Sequence, residues 1–270
     1  MSRRLRLDAE LVRRGMARSR EHAVELVDAG RVTVAGQRAT KPATQVDGAD
    51  ALHVQPGGDT EDFVSRGAHK LIGALDAFAE AGLTVSGKRC LDAGASTGGF
   101  TDVLLRRGAG QVVAVDVGYG QLAWRLRQDE RVQVHERTNV RNLQPSDIGG
   151  PVELLVADLS FISLRVVLPA LAGCTVAEPP ADLLLMVKPQ FEVGREQLGS
   201  GGVVREPELR AAAVRRVAAG AAELQLGVAG VTASPLPGPS GNVEYFLWLR
   251  RDAGPLEETA LQTALLEGPS

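Results

Sequence analysis

The chain has 270 residues, 44% of them hydrophobic, and a formal net charge of −3 from 30 Lys and Arg against 33 Asp and Glu. That length holds one large or two modest domains with a real core. No apolar run approaches the roughly 18 to 20 residues of a membrane span, and no secretory signal opens the chain. Cys90 and Cys174, the two cysteines, lie in apolar contexts, which excludes a disulfide framework and points to a reducing cytoplasm. They and the four histidines show no metal-ligand spacing, so no metal is expected.

The near-neutral total hides an asymmetry. Residues 1–41 carry Arg3, Arg4, Arg6, Arg13, Arg14, Arg18, Arg20, Arg31, Arg38 and Lys41, opposed only by Asp8, Glu10, Glu21, Glu25 and Asp28. A basic unit on a mildly acidic chain suggests a polyanion partner. Residues 3–15 predict a short helix with Asp8 as a possible cap, and a second helix follows Ser19, running from Arg20 to Ala29 and stopped by Gly30. Arg31–Gln37 reads as a strand into a turn, and Lys41-Pro42 and the run Ala51–Val54 complete the unit. The order, with RLRLD at 4–8, RSRExA at 18–23, GRVxVxG at 30–36 and Lys41-Pro42, resembles the S-four domain, a small RNA-binding module. The resemblance implies that Arg4, Arg6, Arg18, Arg20 and Lys41 line an RNA-facing surface. Guanidinium groups bind phosphates in forked geometry, and such binding weakens steeply with salt.

A polar, glycine-rich linker occupies residues 56–62. The boundaries expected are 1–60 for the first domain, 61–64 for the linker, 65–252 for the second domain and 253–270 for a C-terminal tail. In the second domain a helix begins near Leu71, and a glycine turn over Leu91–Asp102 leads into a helix from about Gly99. Val112–Asp116 is the next strand, a helix spans about Gln121–Leu126, and Val132–His135 is another strand. Val152–Asp158 and Leu183–Lys188 are apolar runs of the kind that form buried parallel strands. Helices at Leu164–Ala172 and Glu208–Leu226 and strands at Val228–Ser234 and Val243–Arg250 complete the order. A glycine-rich loop, Ser200–Pro207, reads as a mobile substrate lip. Alternation of strand and helix predicts an α/β fold with a mostly parallel sheet. The last two strands are joined by a loop short for a parallel crossover, so the final strand should run antiparallel.

The glycine turn DAGASTGGFTD (92–102) has the form of a nucleoside site. Its glycines let a ligand approach the main chain, and the helix after it presents free amide groups. Asp116 ends the next strand, where an acid can accept hydrogen bonds from ribose hydroxyls. Glycines at 94, 98 and 99, with Ser96 between, do not match the G-x-G-x-x-G dinucleotide spacing. Asp92, two residues before Gly94, is instead the habit of S-adenosylmethionine sites. Lys70, Asp158, Lys188 and Glu244 fall at a helix start and at strand ends around the same edge. Lysines and carboxylates are rarely buried there unless paired. A lysine made neutral by a second ammonium could take a proton from a ribose hydroxyl, with the carboxylates orienting both lysines.

With SRGAHK (65–70), DLSFISL (158–164), VKPQFE (187–192) and GNVEYF (241–246), the second domain resembles the FtsJ-like ribose 2′-O-methyltransferases. The whole chain is similar to the TlyA proteins, two-domain ribosomal RNA methyltransferases often labelled hemolysins. The resemblance implies a Rossmann-like, seven-stranded class I methyltransferase sheet with a small N-terminal α+β S-four-type domain. It implies a Lys-Asp-Lys-Glu tetrad at Lys70, Asp158, Lys188 and Glu244 with Lys188 as base. It implies S-adenosylmethionine contacts from Gly94, Ser96, Gly98, Gly99, Phe100, Asp116 and Asn139, which Asp92 joins by its place in the glycine turn. It also implies cytidine 2′-O-methylation in ribosomal RNA of one or both subunits, by a cytoplasmic monomer, with Arg66 extending the basic path. Ser96-Thr97 and Phe100 depart from the proline and tryptophan usual in the simpler FtsJ pattern. The competing readings are a ribosome assembly factor with a vestigial pocket, a membrane-active hemolysin and a nicotinamide dehydrogenase. An intact tetrad opposes the first, the lack of a spanning or long basic amphipathic segment the second, and the glycine spacing the third.

Overall fold

The computed structural model describes residues 4–17, 19–55 and 63–269. Arg18, expected on the RNA-facing surface, lies outside them. The chain forms two compact units, 1–62 and 63–270.

In the first unit the order is β1 (Leu5–Arg6), α1 (Leu7–Arg13), α2 (Arg20–Asp28), β2 (Val32–Val34), β3 (Gln37–Arg38), β4 (Gln45–Val46) and β5 (Leu52–Val54). Strand β1 pairs antiparallel with β4, and β2 lies between β3 and β5 in a second antiparallel sheet. The pairing of Leu5 and Arg6 makes them extended, so α1 starts at Leu7 rather than near residue 3. Asp8 therefore sits inside the first turn instead of capping the helix, and its carboxylate accepts from the Ala9 amide at 2.8 Å. Ser19 does cap α2, accepting from the His22 amide at 3.1 Å. Leu7 and Leu11 on α1 meet Ala23, Leu26 and Val27 on α2 and Val32 and Val46 from the strands in one small core.

The second unit runs α3 (Gly67–Ala79), β6 (Arg89–Ala93), α4 (Gly99–Arg106), β7 (Gln111–Val115), α5 (Trp124–Arg127), β8 (Val132–His135), β9 (Leu154–Ala157), α6 (Leu164–Gly173), β10 (Asp182–Val187), α7 (Pro189–Glu192), α8 (Pro207–Ala222), β11 (Gly227–Ala233), β12 (Tyr245–Arg250) and α9 (Glu258–Glu267). Seven strands form one sheet in the order β11-β12-β10-β9-β6-β7-β8. From β10 to β8 every pairing is parallel, and β12 is antiparallel to both its neighbours, as the short final loop requires. Side chains alternate across the sheet. Leu155, Leu183, Leu185, Leu247 and Leu249 face one layer with Val167 of α6, Val214 of α8 and Leu261 of α9. Leu154, Val156, Leu184, Met186 and Trp248 face the other with Leu71 of α3 and Leu104 of α4.

Residues 253–270, expected as a C-terminal tail, include α9, which buries Leu261 and Ala264 in the core beside β11. Helix α5 starts at Trp124, three residues later than expected, because the segment before it is a loop held by Asp116 and Glu136, which accept from the Gly118 and Gly120 amides.

Candidate active site

Strands β6, β7, β9 and β10 deliver their carboxyl ends, and β12 its amino end, to one edge of the sheet. Val187 pairs with Tyr245, so Lys188 and Glu244 leave the sheet side by side. Ala93 pairs with both Val115 and Ala157, which sets Gly94, Asp116 and Asp158 in a row. Open α/β sheets bind ligands at such an edge.

The glycine turn fits tightly into that row. Gly94 has φ +90°, and a Cβ there would meet the Asp158 carbonyl oxygen at 2.4 Å. A Cβ on Gly99 would lie 2.3 Å from Ser65 Oγ and 3.1 Å from the Ala68 amide, so only glycine lets the starts of α3 and α4 pack together. Gly98, in the left-handed region, is the N-cap of α4. Ser96 is exposed, and its amide donates to Asp116 Oδ2 at 2.8 Å. The Asp116 carboxylate also takes the Gly118 amide at 2.7 Å, which leaves further acceptor directions on the same oxygens. A small cavity of about 10 Å³ lies here, lined by Ser96, Asp116, Gly118, Gln121 and Glu136 among others. Asp92 is fully buried and accepts from Thr101 Oγ at 2.7 Å, while its Oδ1 has no hydrogen-bond partner. Burial pushes its carboxyl up to about 7, against the Thr101 bond, with the Asp158 and Asp116 charges adding to the rise. Three carboxylates at adjacent strand ends, one with a buried, unpartnered oxygen, suit a cationic ligand.

The Phe100 side chain is buried in the core, its ring centroid 6.1 Å from that of Phe246. Asn139 uses its side-chain oxygen to cap a short turn, accepting from the Arg141 amide at 3.0 Å.

The four tetrad residues come together as two lysine–carboxylate pairs. Lys70, in the first turn of α3, donates to Glu244 Oε2 at 2.5 Å, with both residues buried. Glu244 Oε1 is buried without a partner. Lys188 Nζ lies 2.5 Å from Asp158 Oδ1. That contact lacks hydrogen-bond alignment and is an ion pair, while the same ammonium donates to Ser160 Oγ at 3.0 Å. Buried ion pairs gain little stability over apolar residues of the same volume. Lys70–Glu244 is such a pair, and Lys188 with the part-exposed Asp158 lies at the same ligand-binding edge, so the two together point to chemistry.

A cavity of about 320 Å³ opens beside the pairs, lined by Ser160, Phe161, Lys188, Phe191, Gly201, Gly202, Asn242 and Glu244 among others. That is within the size range of small-molecule pockets. Phe161 is 90% exposed, has φ +64° and stacks against Phe191 with ring centroids 5.3 Å apart. An aromatic residue in the left-handed region carries backbone strain, which such sites hold for a purpose. Glu192 staples the two loops, accepting from Ser163 Oγ at 2.6 Å and from the Leu164 amide at 2.7 Å. The expected substrate lip does reach the cavity through Gly201 and Gly202. It is fastened by buried Asn242, which accepts from the Val204 amide at 2.9 Å and donates to the Gly202 carbonyl at 3.0 Å. Ser160, Glu192 and Asn242 carried no signal of their own in the sequence, because their partners are 28 to 40 residues away.

In the first unit, Arg4, Arg6, Arg20 and Lys41 are exposed. Arg6 and Arg20 share the Asp8 carboxylate at 2.8 and 3.0 Å, and the Asp8 amide donates to the Pro42 carbonyl at 3.0 Å, which brings Lys41 to the same place. Arg66 is exposed in the second unit and donates to the Pro237 carbonyl at 3.1 Å. Among the described residues no group of His, Cys, Asp and Glu could hold a metal ion, and no helix is long and apolar enough to cross a membrane.

Comparison with known proteins agrees with this architecture. A family model described as FtsJ-like methyltransferase matches residues 63–251, and one described as S4 domain matches residues 5–52. The 16S/23S rRNA (cytidine-2′-O)-methyltransferase TlyA of Mycobacterium tuberculosis is 61% identical over 275 residues, covering 100% of both chains. Hemolysin A of Brachyspira hyodysenteriae is 34% identical, covering 89% of this chain and 98% of its own. A solved structure of a hemolysin-named protein from Streptococcus thermophilus superposes with a TM-score of 0.75 at 38% identity, covering 99% of this chain and 98% of that one.

Proposed function

The chain belongs to the FtsJ-like methyltransferases, in the two-domain TlyA form that carries an S4 domain, and from that membership and the site geometry we propose that it transfers a methyl group from S-adenosylmethionine to the ribose 2′-hydroxyl of cytidine in ribosomal RNA. The observation that carries this reading is the two lysine–carboxylate contacts, Lys70–Glu244 buried and Lys188–Asp158 partly buried, beside a cavity of about 320 Å³. Asp92, Gly94, Ser96, Gly98, Gly99 and Asp116 are the residues that would hold the cofactor. The strand-end carboxylates Asp92, with its unpartnered oxygen, and Asp116 would complement its positive charge. When bound, it supplies an electrophilic methyl group on a sulfonium.

The chain's own part is to place and deprotonate the hydroxyl. Lys188 acts as base once its ammonium has given a proton to solvent: the amine takes the hydroxyl proton as the oxygen–carbon bond forms and the methyl's bond to sulfur breaks, and the ammonium so restored is balanced by Asp158 at 2.5 Å. Ser160 fixes the direction of the Lys188 amine. Glu244 Oε1 is free to accept from the substrate's hydroxyls, while Lys70 on Oε2 holds the carboxylate in place. Phe161 offers a ring on which a base turned out of its stack can rest. The first unit docks the RNA through Arg4, Arg6, Arg20 and Lys41.

The test is transfer of labelled methyl from S-adenosylmethionine to ribosomal subunits lacking the modification. Label is expected in an alkali-resistant dinucleotide, which marks the ribose 2′ position. Lys188→Ala should bind cofactor and subunit normally and lose about 10²- to 10⁴-fold in rate. Undiminished transfer by that variant removes Lys188 from the role of base. Absence of label with either subunit, despite cofactor binding, refutes the reading.

A further inference from the structure

We propose that Asp8 is a positioning residue for RNA: it holds the Arg6 and Arg20 guanidinium groups in one fixed arrangement for a backbone phosphate, so binding depends on this carboxylate instead of being opposed by it. The proposal rests on the reading of the first unit as an RNA-docking domain.

Asp8 is only 2% exposed, whereas the Arg6 and Arg20 side chains keep 48% and 60% of their surface. Arg6 meets the carboxylate as a fork, Nε donating to Oδ1 at 3.1 Å and Nη2 to Oδ2 at 2.8 Å. Arg20 Nη2 donates to the same Oδ2 at 3.0 Å. The acid is itself fixed, by the Ala9 amide on Oδ1 and by its own amide on the Pro42 carbonyl. Arg6 Nη1 and Arg20 Nε and Nη1 are not used in these bonds, so both exposed guanidinium groups keep donors for a phosphate. The two cations and one anion sum to a single positive charge.

Glu10 shows what a purely structural version looks like. It is also buried and holds Arg13 and Arg14, but Arg14 spends its other donors on the Asp47, Gly48 and Asp50 carbonyl oxygens and ties α1 to the turn before β5. Among the described residues Arg6 and Arg20 have no such carbonyl partners.

Long arginine side chains lose rotamer freedom when they bind, and a carboxylate that has already ordered them removes that loss. Charge counting gives the opposite expectation. Removing an acid beside phosphate contacts should tighten binding and steepen its salt dependence.

The two can be separated with the full chain and unmodified ribosomal subunits, measuring Kd across a series of salt concentrations. Arg6→Ala/Arg20→Ala tests the docking reading and should weaken binding with a shallower salt slope. Asp8→Asn should weaken binding about tenfold at every salt concentration, with cofactor affinity unchanged. Added to Arg6→Ala/Arg20→Ala, Asp8→Asn should cause no further loss, which a general loosening of the fold would not reproduce. Should Asp8→Asn unfold the unit, Arg6→Lys/Arg20→Lys keeps Asp8 and both charges but removes the fork, and should match the tenfold loss. Asp8→Asn binding as tightly as the unaltered chain, or Arg6→Lys/Arg20→Lys doing so, overturns the proposal. Unchanged binding by Arg6→Ala/Arg20→Ala overturns the docking reading first, and the proposal with it.

Discussion

Asp92→Asn should stabilise the second unit in mild alkali and lose that advantage in acid. Burial raises the Asp92 carboxyl to about 7, from an ordinary value near 3.9 in the unfolded chain. A folded-state value above the unfolded one means that stability is full in acid, falls as pH climbs from about 4 to about 7, and is level beyond. The whole fall is about 4 kcal/mol, of which about 2 to 3 kcal/mol lies between about pH 5 and about pH 8. Asparagine is neutral throughout. Its oxygen can accept from Thr101, and its amide nitrogen takes the place of the unpartnered Oδ1, at a cost of about 1–3 kcal/mol that does not change with pH. The stability difference between variant and parent should therefore move by about 2 to 3 kcal/mol in favour of asparagine from about pH 5 to about pH 8. Both tryptophans, Trp124 and Trp248, belong to the second unit, so urea unfolding followed by tryptophan fluorescence reports it within the full chain. Affinity for S-adenosylmethionine should rise with pH in the parent, as Asp92 ionises to meet a cation, and stay flat in the variant. An equal effect of the substitution at both pH values would falsify the assignment of a proton to Asp92 near neutrality.

Lys70→Ala strands the Glu244 carboxylate in the interior and should cost the second unit about 3–5 kcal/mol in the same urea assay. Lys70→Met/Glu244→Leu should recover most of that stability and still transfer no methyl group. Asn242→Ala releases the Val204 amide and the Gly202 carbonyl, so KM for the ribosomal subunit should rise severalfold while S-adenosylmethionine affinity holds; unchanged KM would show that the loop needs no fastening. In the first unit, hydrogen bonds from Arg6 and from Arg13 hold Asp8 and Glu10, respectively, at about 2. These values lie below the unfolded ones, so the stability they confer is full above about pH 4.5 and is lost as pH falls toward 2. Amide NMR signals of α1 and α2 should vanish in that window, and the loss should begin at the same pH with or without salt-sensitive surface pairs.

Much of the second unit was legible because its central strands are buried on both faces. Leu154–Ala157 and Leu183–Val187 are unbroken apolar runs, and an acid or lysine just past each run marks the end that faces ligand. The glycine turn was legible because its φ angles and close approaches admit few other residues. The pairing within the tetrad was not, since nothing local says that Lys70 meets Glu244 174 residues later. Phe100, a cofactor contact only by the resemblance, is the second residue of α4, and its side chain packs near Phe246. Helix α9 did have a signal, Leu261, Ala264 and Leu265 at helical spacing. It is short and follows Pro255, and its stability comes from the face of β11 that it covers.

Both units solve one electrostatic problem in the same way, and this bears on how the net charge should be weighed. A basic side chain that must meet phosphate as a cation, or take a proton as an amine, works best when it is held still, and a carboxylate behind it can hold it without occupying the surface. Asp8 does this for Arg6 and Arg20 in the first unit, where Glu10 pins Arg13 and Arg14 structurally; in the second, Glu244 holds Lys70 and the part-buried Asp158 holds Lys188. These acids count fully in the formal charge of −3, yet Asp8, Glu10 and Glu244 are shielded from solvent and from any approaching strand. Arg6 and Arg20 remain exposed, and Lys188 lines the cavity. Near-neutral composition is thus compatible with a polyanionic substrate: the buried acids lower the sum of charges but raise the order of the ones that matter.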